Sequence, residues 1–196
     1  MENLFLSTVL ELYRENKWEE ILKLNEHSDD PTALNLLWVW PSEKNLNFIK
    51  TVLNEYNLDG IVSIGCGCGL LEWIINKSTG FDVTGYEINK AWWESKYSNP
   101  KFIKLNYQEE SLEENCLNSN YALLFCYFNN GPAFLEYINT YEGNVVFIIG
   151  PGKGKGRHTD PEPFGANFGS FRWRLYGYQE VKNSKDFIAV YVKNSM

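Results

Sequence analysis

Five residues near the middle of the chain, Gly65-Cys66-Gly67-Cys68-Gly69, stand between an apolar run, Ile61-Val62-Ser63-Ile64, and a helical stretch from Leu70 to Lys77. Strand, glycine turn and helix, in that order, are what a nucleoside-binding site requires. Glycine tolerates positive φ and lets a ligand lie against the main chain, where the first turn of a helix offers unpaired N–H groups. Glu87 follows Gly65 by 22 residues, at the end of the next apolar run, in Gly85-Tyr86-Glu87-Ile88-Asn89. A carboxylate in that position can accept both hydroxyls of a ribose. Gly65, Cys66, Gly67 and Gly69 of the loop, together with Glu87, are the candidate binding set.

Nicotinamide dinucleotides and S-adenosylmethionine share this layout, and the spacing of the glycines separates them. The dinucleotide fingerprint wants its third glycine at position 70, where close helix packing beside a pyrophosphate depends on it. That position is Leu70, and the glycines instead form G-x-G-x-G. With Glu87 downstream and two β-like segments closing the chain, the pattern resembles the class I S-adenosylmethionine-dependent methyltransferases over residues 60 to 193. The resemblance implies that Gly65, Gly67 and Gly69 pack against the methionine moiety and that Glu87 holds the ribose. It also implies that a polar residue after the third strand, Asn106 or Tyr107, borders the adenine, and that the fourth strand ends in a substrate-facing segment, Cys126-Tyr127-Phe128-Asn129-Asn130-Gly131-Pro132. That segment only partly matches the Asn/Asp-Pro-Pro-aromatic motif of amine-directed methyltransferases, since Pro132 is displaced and no aromatic follows it. Base-directed chemistry is therefore not implied.

Methyl transfer from a sulfonium depends on alignment, and a general base matters only when the nucleophile arrives protonated. Asn129 and Asn130 are the candidates for aligning a substrate, with capping of the helix from Pro132 to Tyr141 as their structural alternative. The segment from Gly150 to Asp160 carries Lys153, Lys155, Arg157 and His158, suited to an anionic substrate or simply to solvent. It lacks the P-loop spacing. His158 is a weak candidate base. Cys66 and Cys68 lack a second ligand pair and do not form a zinc pattern, so no metal is expected. Glu72, early in the helix after the loop, suits a structural role toward that helix or the loop. Trp38, Trp40, Trp92 and Trp93 suit core packing, although rings near a sulfonium also attract it. The resemblance implies that Trp38-Val39-Trp40-Pro41-Ser42, just before the helix that leads into the first strand, covers the cofactor or the substrate mouth.

The elements that must position these residues follow from periodicity. Apolar residues at helical spacing from Leu4 to Leu24, then after Pro31 as far as Trp38, and again from Leu46 to Tyr56 give an N-terminal helical extension over residues 1–59, with Asp29 or Asp30 as a cap for the second stretch. From residue 60 to 196 short apolar runs alternate with helical stretches: Ile61 to Ile64, Phe81 to Tyr86, Lys101 to Leu105, Tyr121 to Phe128 and Asn144 to Ile149. Trp173 to Val181 and Phe187 to Val192 form a closing hairpin. The expected fold is α/β: one domain with a doubly wound, mostly parallel, seven-stranded Rossmann-like sheet and a terminal antiparallel pair. Gly150 to Gly169 reads as a long irregular loop.

A net charge of −7 argues against a broad nucleic-acid surface and suits a small-molecule or protein substrate. The four cysteines, Cys66, Cys68, Cys116 and Cys126, contain no CxxC pair and suit reduced thiols in a cytoplasmic protein. No apolar run reaches the roughly 18 residues of a membrane span, and the oligomeric state is open. The expected activity is methyl transfer. The alternatives are a non-catalytic binding or partner subunit of the same fold, or a dinucleotide-dependent oxidoreductase.

Overall fold

Strands that are apolar at successive positions must be covered on both faces. A computed structural model of the chain, describing residues 3–24, 30–107 and 117–194, places these runs at the centre of a sheet. β1 (Gly60–Ile64) and β5 (Val145–Pro151) are buried at every position. β2 (Asp82–Glu87), β3 (Leu105–Tyr107), β4 (Tyr121–Cys126), β6 (Trp173–Glu180) and β7 (Asp186–Lys193) complete a seven-stranded sheet in the order β3-β2-β1-β4-β5-β7-β6. β1 to β5 are parallel, whereas β7 runs antiparallel to β5 and β6 antiparallel to β7. β1 lies between β2 and β4, so the strand order reverses there. The loops leaving β1 and β4 diverge at such a point, and a crevice opens at the strand ends.

Helices α1 (Leu4–Arg14), α2 (Trp18–Leu24), α3 (Thr32–Leu36) and α4 (Glu43–Glu55) pack with α5 (Leu70–Thr79) on one face of the sheet in a shared hydrophobic cluster. The short α6 (Lys90–Trp93) follows β2, and α7 (Gly131–Thr140) covers the opposite face with Phe134, Tyr137 and Ile138. Local chemistry fixes the ends of these helices. Ser42 and Asn45 form a capping box at α4, and the Asn45 amide also donates to Gln179 Oε1 and to the Glu180 carbonyl, both at 3.1 Å, which ties the N-terminal helices to β6. α5 is bounded by two left-handed glycines, Gly69 at φ 78° and Gly80 at φ 81°.

Four boundaries differ from the sequence reading. The third strand is Leu105–Tyr107 rather than Lys101 to Leu105, because it is a short edge strand paired only with the end of β2. The helix after Pro31 ends at Leu36, and Leu37 is already extended, so Trp38 belongs to the following linker. Asp30 accepts from the Thr32 N–H at 2.8 Å, as a cap should, whereas Asp29 and Cys116 lie outside the described residues. β4 ends at Cys126 because Tyr127 turns to φ 51°. Gly150 and Pro151 belong to β5, and residues 152–172 contain neither helix nor strand. That stretch is tied to the end of β4 where the Asn130 N–H donates to the Asp160 carbonyl at 2.8 Å and the Asp160 N–H to the Phe128 carbonyl at 3.2 Å. No helix among the described residues is long and apolar enough to cross a membrane.

Candidate functional site

The glycine loop leaves β1 at the crevice. Gly65, Gly67 and Gly69 all have positive φ, and Gly67 faces open space, with nothing within 4 Å of where a Cβ would stand. Gly69 is required for packing, since a Cβ there would meet Ile103 at 2.3 Å. The Gly65 and Cys66 N–H groups both donate to the Tyr86 carbonyl, at 2.9 and 3.2 Å, which holds the loop against the end of β2. There the Glu87 carboxylate closes on the loop: Oε1 accepts from the Gly67 N–H at 2.6 Å and Oε2 from the Ile88 N–H at 3.2 Å. Each oxygen keeps a lone pair for a further donor.

Two cavities flank this contact, and Gly65 and Glu87 line both. The smaller, about 200 Å³, lies on the α7 face between Ile88, Phe128, Tyr137 and Ala133, with Asn129 and Asn130 at its edge. Its apolar walls suit a planar ring. The larger, about 280 Å³, lies on the α5 face and is walled by Leu37, Trp38, Trp93, Cys126, Tyr127 and Glu72, with the glycine loop as its floor. Among the described residues no Lys, Arg or His contributes to its walls.

Glu72 is 2% exposed. Its Oε1 accepts from Ser63 Oγ at 2.6 Å, and its Oε2 has no partner among the described residues. Burial, opposed by the Ser63 bond, raises its pKa to about 7, and Glu87 adds to the rise. Burial likewise pushes the Cys66 and Cys126 thiols far up and Cys68 to about 12, so all three stay protonated at neutral pH. No group of metal-ligating side chains forms among the described residues.

Trp38 caps the larger cavity. It is stacked on Tyr127 with ring centroids 5.3 Å apart and planes 13° apart, and the Arg157 guanidinium lies 5.3 Å from the Trp38 ring. Tyr127 donates to Asp186 Oδ1 at 2.6 Å, and Lys155 pairs with Asp186 Oδ2 at 2.9 Å. Burial and the bond to Asp186 keep the Tyr127 hydroxyl protonated. It can donate but cannot serve as a base.

The remaining expected residues separate. Asn129 lines the smaller cavity, but the side chain of Asn130 accepts from the Ala133 N–H at 3.1 Å, the capping role that was the alternative to substrate alignment. Asn106 and Tyr107 lie within β3 rather than after it, and neither walls either cavity. The Asn106 amide donates to the Gly85 carbonyl at 3.1 Å, and Tyr107 is in register with Glu87. His158 is exposed, 3.1 Å from Glu162 Oε1, and lines neither cavity. Phe128 lies in the segment expected to face the substrate, whereas the Ile88 wall and the Asp186 anchor depend on distant packing and carry no signal of their own in the sequence. Sequence reasoning treated Glu72 as structural, although a glutamate inside the apolar run Leu70-Leu71-Glu72-Trp73-Ile74-Ile75 is a signal in itself.

Sheet order, closing antiparallel pair and glycine loop together define the class I S-adenosylmethionine-dependent methyltransferase fold. Among solved structures the chain is similar to human N-acetylserotonin methyltransferase in complex with S-adenosylmethionine, at TM-score 0.51 and 14% identity over 94% of this chain and 58% of that one. It thus spans less than two thirds of the human enzyme. A mutant of MtNAS is similar at TM-score 0.51 and 14% identity, over 97% of this chain and 76% of that chain. No protein-family model and no curated protein matches the sequence.

Proposed function

We propose that the chain binds S-adenosylmethionine across the two cavities and transfers its methyl group to a small-molecule or protein acceptor presented at the ends of β4 and β5. One observation carries this reading: the Glu87 carboxylate accepts from the Gly67 N–H while the Cβ side of Gly67 stays open, with a cavity on either side of the contact, at the switch point of the sheet. The cofactor, when bound, supplies a methyl group already activated by a sulfonium.

The chain's own residues then bind, orient and exclude water. Glu87 accepts ribose hydroxyls with the lone pairs that Gly67 and Ile88 leave free. Ile88, Phe128 and Tyr137 form an apolar slot for the base. Trp38, Trp93 and Tyr127 line the other cavity with aromatic surface, which favours a cation and keeps water out. Tyr127 holds its proton against Asp186 Oδ1 and so offers a fixed wall. With catalysis by alignment, the acceptor needs no strong base beside it.

A second reading, a binding or partner subunit without turnover, draws on the Asn130 side chain being committed to the α7 cap. Calorimetric titration with S-adenosylmethionine, S-adenosylhomocysteine and a nicotinamide dinucleotide tests the cofactor. Binding of the first two alone supports the proposal, and binding of the dinucleotide alone refutes it. Label transfer from methyl-labelled cofactor to candidate acceptors then separates an enzyme from a binding subunit.

A further inference from the structure

The loop after β5 is pinned along its first residues. The Gly152 N–H donates to the Lys185 carbonyl at 2.8 Å, Lys155 Nζ to the Ser184 carbonyl at 2.6 Å and to Asp186 Oδ2 at 2.9 Å, and Lys185 Nζ reaches back to the Gly154 carbonyl at 3.3 Å. Residues 152–155 are thereby held on the turn between β6 and β7. Lys155 and Lys185 are committed to that anchorage, whereas the next cation along, Arg157, is carried to Trp38, its guanidinium 5.3 Å from the ring. Arg157 is exposed and forms no salt bridge with a carboxylate among the described residues. In a chain of net charge −7, a guanidinium fixed in place without a counter-ion is a vacancy for an anion.

Trp38 connects that cation to the site. Its indole walls the larger cavity, stacks on Tyr127 and is still 54% exposed, so it runs from the interior to the surface and Arg157 stands beside the mouth. The Arg157 charge also acts on the Tyr127 hydroxyl, which places it over the segment that leaves β4. Charge changes sign across this mouth. Inside are the carboxylates Glu72 and Glu87, with no cation in the wall among the described residues, and outside is Arg157. The interior thus suits the positively charged cofactor, and the entrance suits a second ligand of opposite charge. A carboxylate or a phosphate takes two parallel N–H bonds from a guanidinium, and a flat ring attached to that anion meets the exposed indole.

We infer that the methyl acceptor is a flat small molecule bearing a carboxylate or phosphate, with its anion bound by Arg157 and its ring on Trp38 at the mouth of the larger cavity. This rests on the proposed transferase reading and names the substrate class for it. Arg157 is a specificity-determining residue: it selects which acceptor is held at the mouth, and its charge takes no part in breaking or making bonds.

The test is calorimetric titration of the full chain, saturated with S-adenosylhomocysteine, with four ligands that share one ring system: 2-naphthoate, 2-naphthyl phosphate, neutral 2-naphthamide and 2-naphthylmethylammonium. Wild type should bind at least one of the two anions more tightly than the amide, and the ammonium least tightly. Arg157→Gln should weaken the preferred anion about fivefold, the upper end of what an exposed ion pair supplies, while S-adenosylhomocysteine and the amide bind as in wild type. Arg172→Gln, which removes a cation from outside this loop, should leave the anions unchanged. The preference should also shrink in about 1 M salt, where screening acts within about 3 Å. If S-adenosylhomocysteine binds but the amide equals both anions, or the anion preference survives Arg157→Gln, the acceptor class is overturned and the cofactor proposal stands. Failure of S-adenosylhomocysteine to bind wild type overturns the cofactor proposal and the acceptor class with it.

Discussion

Replacing Glu72 with glutamine should change how stability depends on pH, and the sign follows from burial. The pKa of Glu72 rises from an ordinary 4.5 to about 7 on folding, mainly through desolvation of its charged form. Between those values the unfolded chain has lost the proton that the native chain still holds, so native stability falls as pH rises through the window and levels off above about 7. At about 1.4 kcal/mol per pH unit, the loss amounts to about 3 kcal/mol. For a chain of this size that corresponds to roughly 6–12 °C in Tm. Glutamine keeps the acceptor for Ser63 and never ionises. Thermal or urea unfolding of both proteins between pH 4.5 and 8 should give a wild-type curve that declines by about 3 kcal/mol relative to Glu72→Gln. The difference between the two curves isolates Glu72, because every other titrating group is common to both proteins. Parallel curves for the two proteins would refute the reasoning.

Glu87→Ala should weaken S-adenosylhomocysteine binding by about 1.5–3 kcal/mol, or roughly 10- to 150-fold, through lost hydrogen bonds to a charged acceptor; unchanged affinity in a calorimetric titration would remove Glu87 from the site. Gly67→Ala places a methyl group in the open space over the larger cavity at a φ of 61°, so it should cost about 1–2 kcal/mol in denaturant unfolding and abolish detectable binding. Asn130→Ala should cost about 1 kcal/mol of stability as the α7 cap is lost, and Asn130→Ser should restore most of it without altering cofactor affinity. Cys66, Cys68 and Cys126 should react with a thiol reagent at pH 8 far more slowly in the folded protein than in denaturant, because burial holds each thiol protonated.

What the sequence discloses about this fold divides along the range of the interactions concerned. β1, β4 and β5 announce themselves as uninterrupted apolar runs, since that pattern follows from cover on both faces, and the closing pair as two β-like segments joined by the short polar stretch from Lys182 to Asp186. The glycine loop is equally legible, because positive φ and backbone approach are local demands. β3 was displaced because three residues carrying Asn106 and Tyr107 offer no periodicity, and their pairing is set by the end of β2. The stack of Trp38 on Tyr127 joins residues 89 positions apart, and Arg157 completes it from a third segment. No spacing rule connects them. Glu72 falls between these cases: its apolar neighbours signal burial, but the missing partner of Oε2 emerges only when the cavity wall is assembled.

A crystal structure of the chain grown with S-adenosylhomocysteine tests the proposed function most directly. Ribose hydroxyls within hydrogen-bonding distance of Glu87 are expected, with the base between Ile88 and Phe128 and the amino-acid chain in the larger cavity. Nucleoside density away from Gly67 and Glu87, or none at saturating ligand, would contradict it.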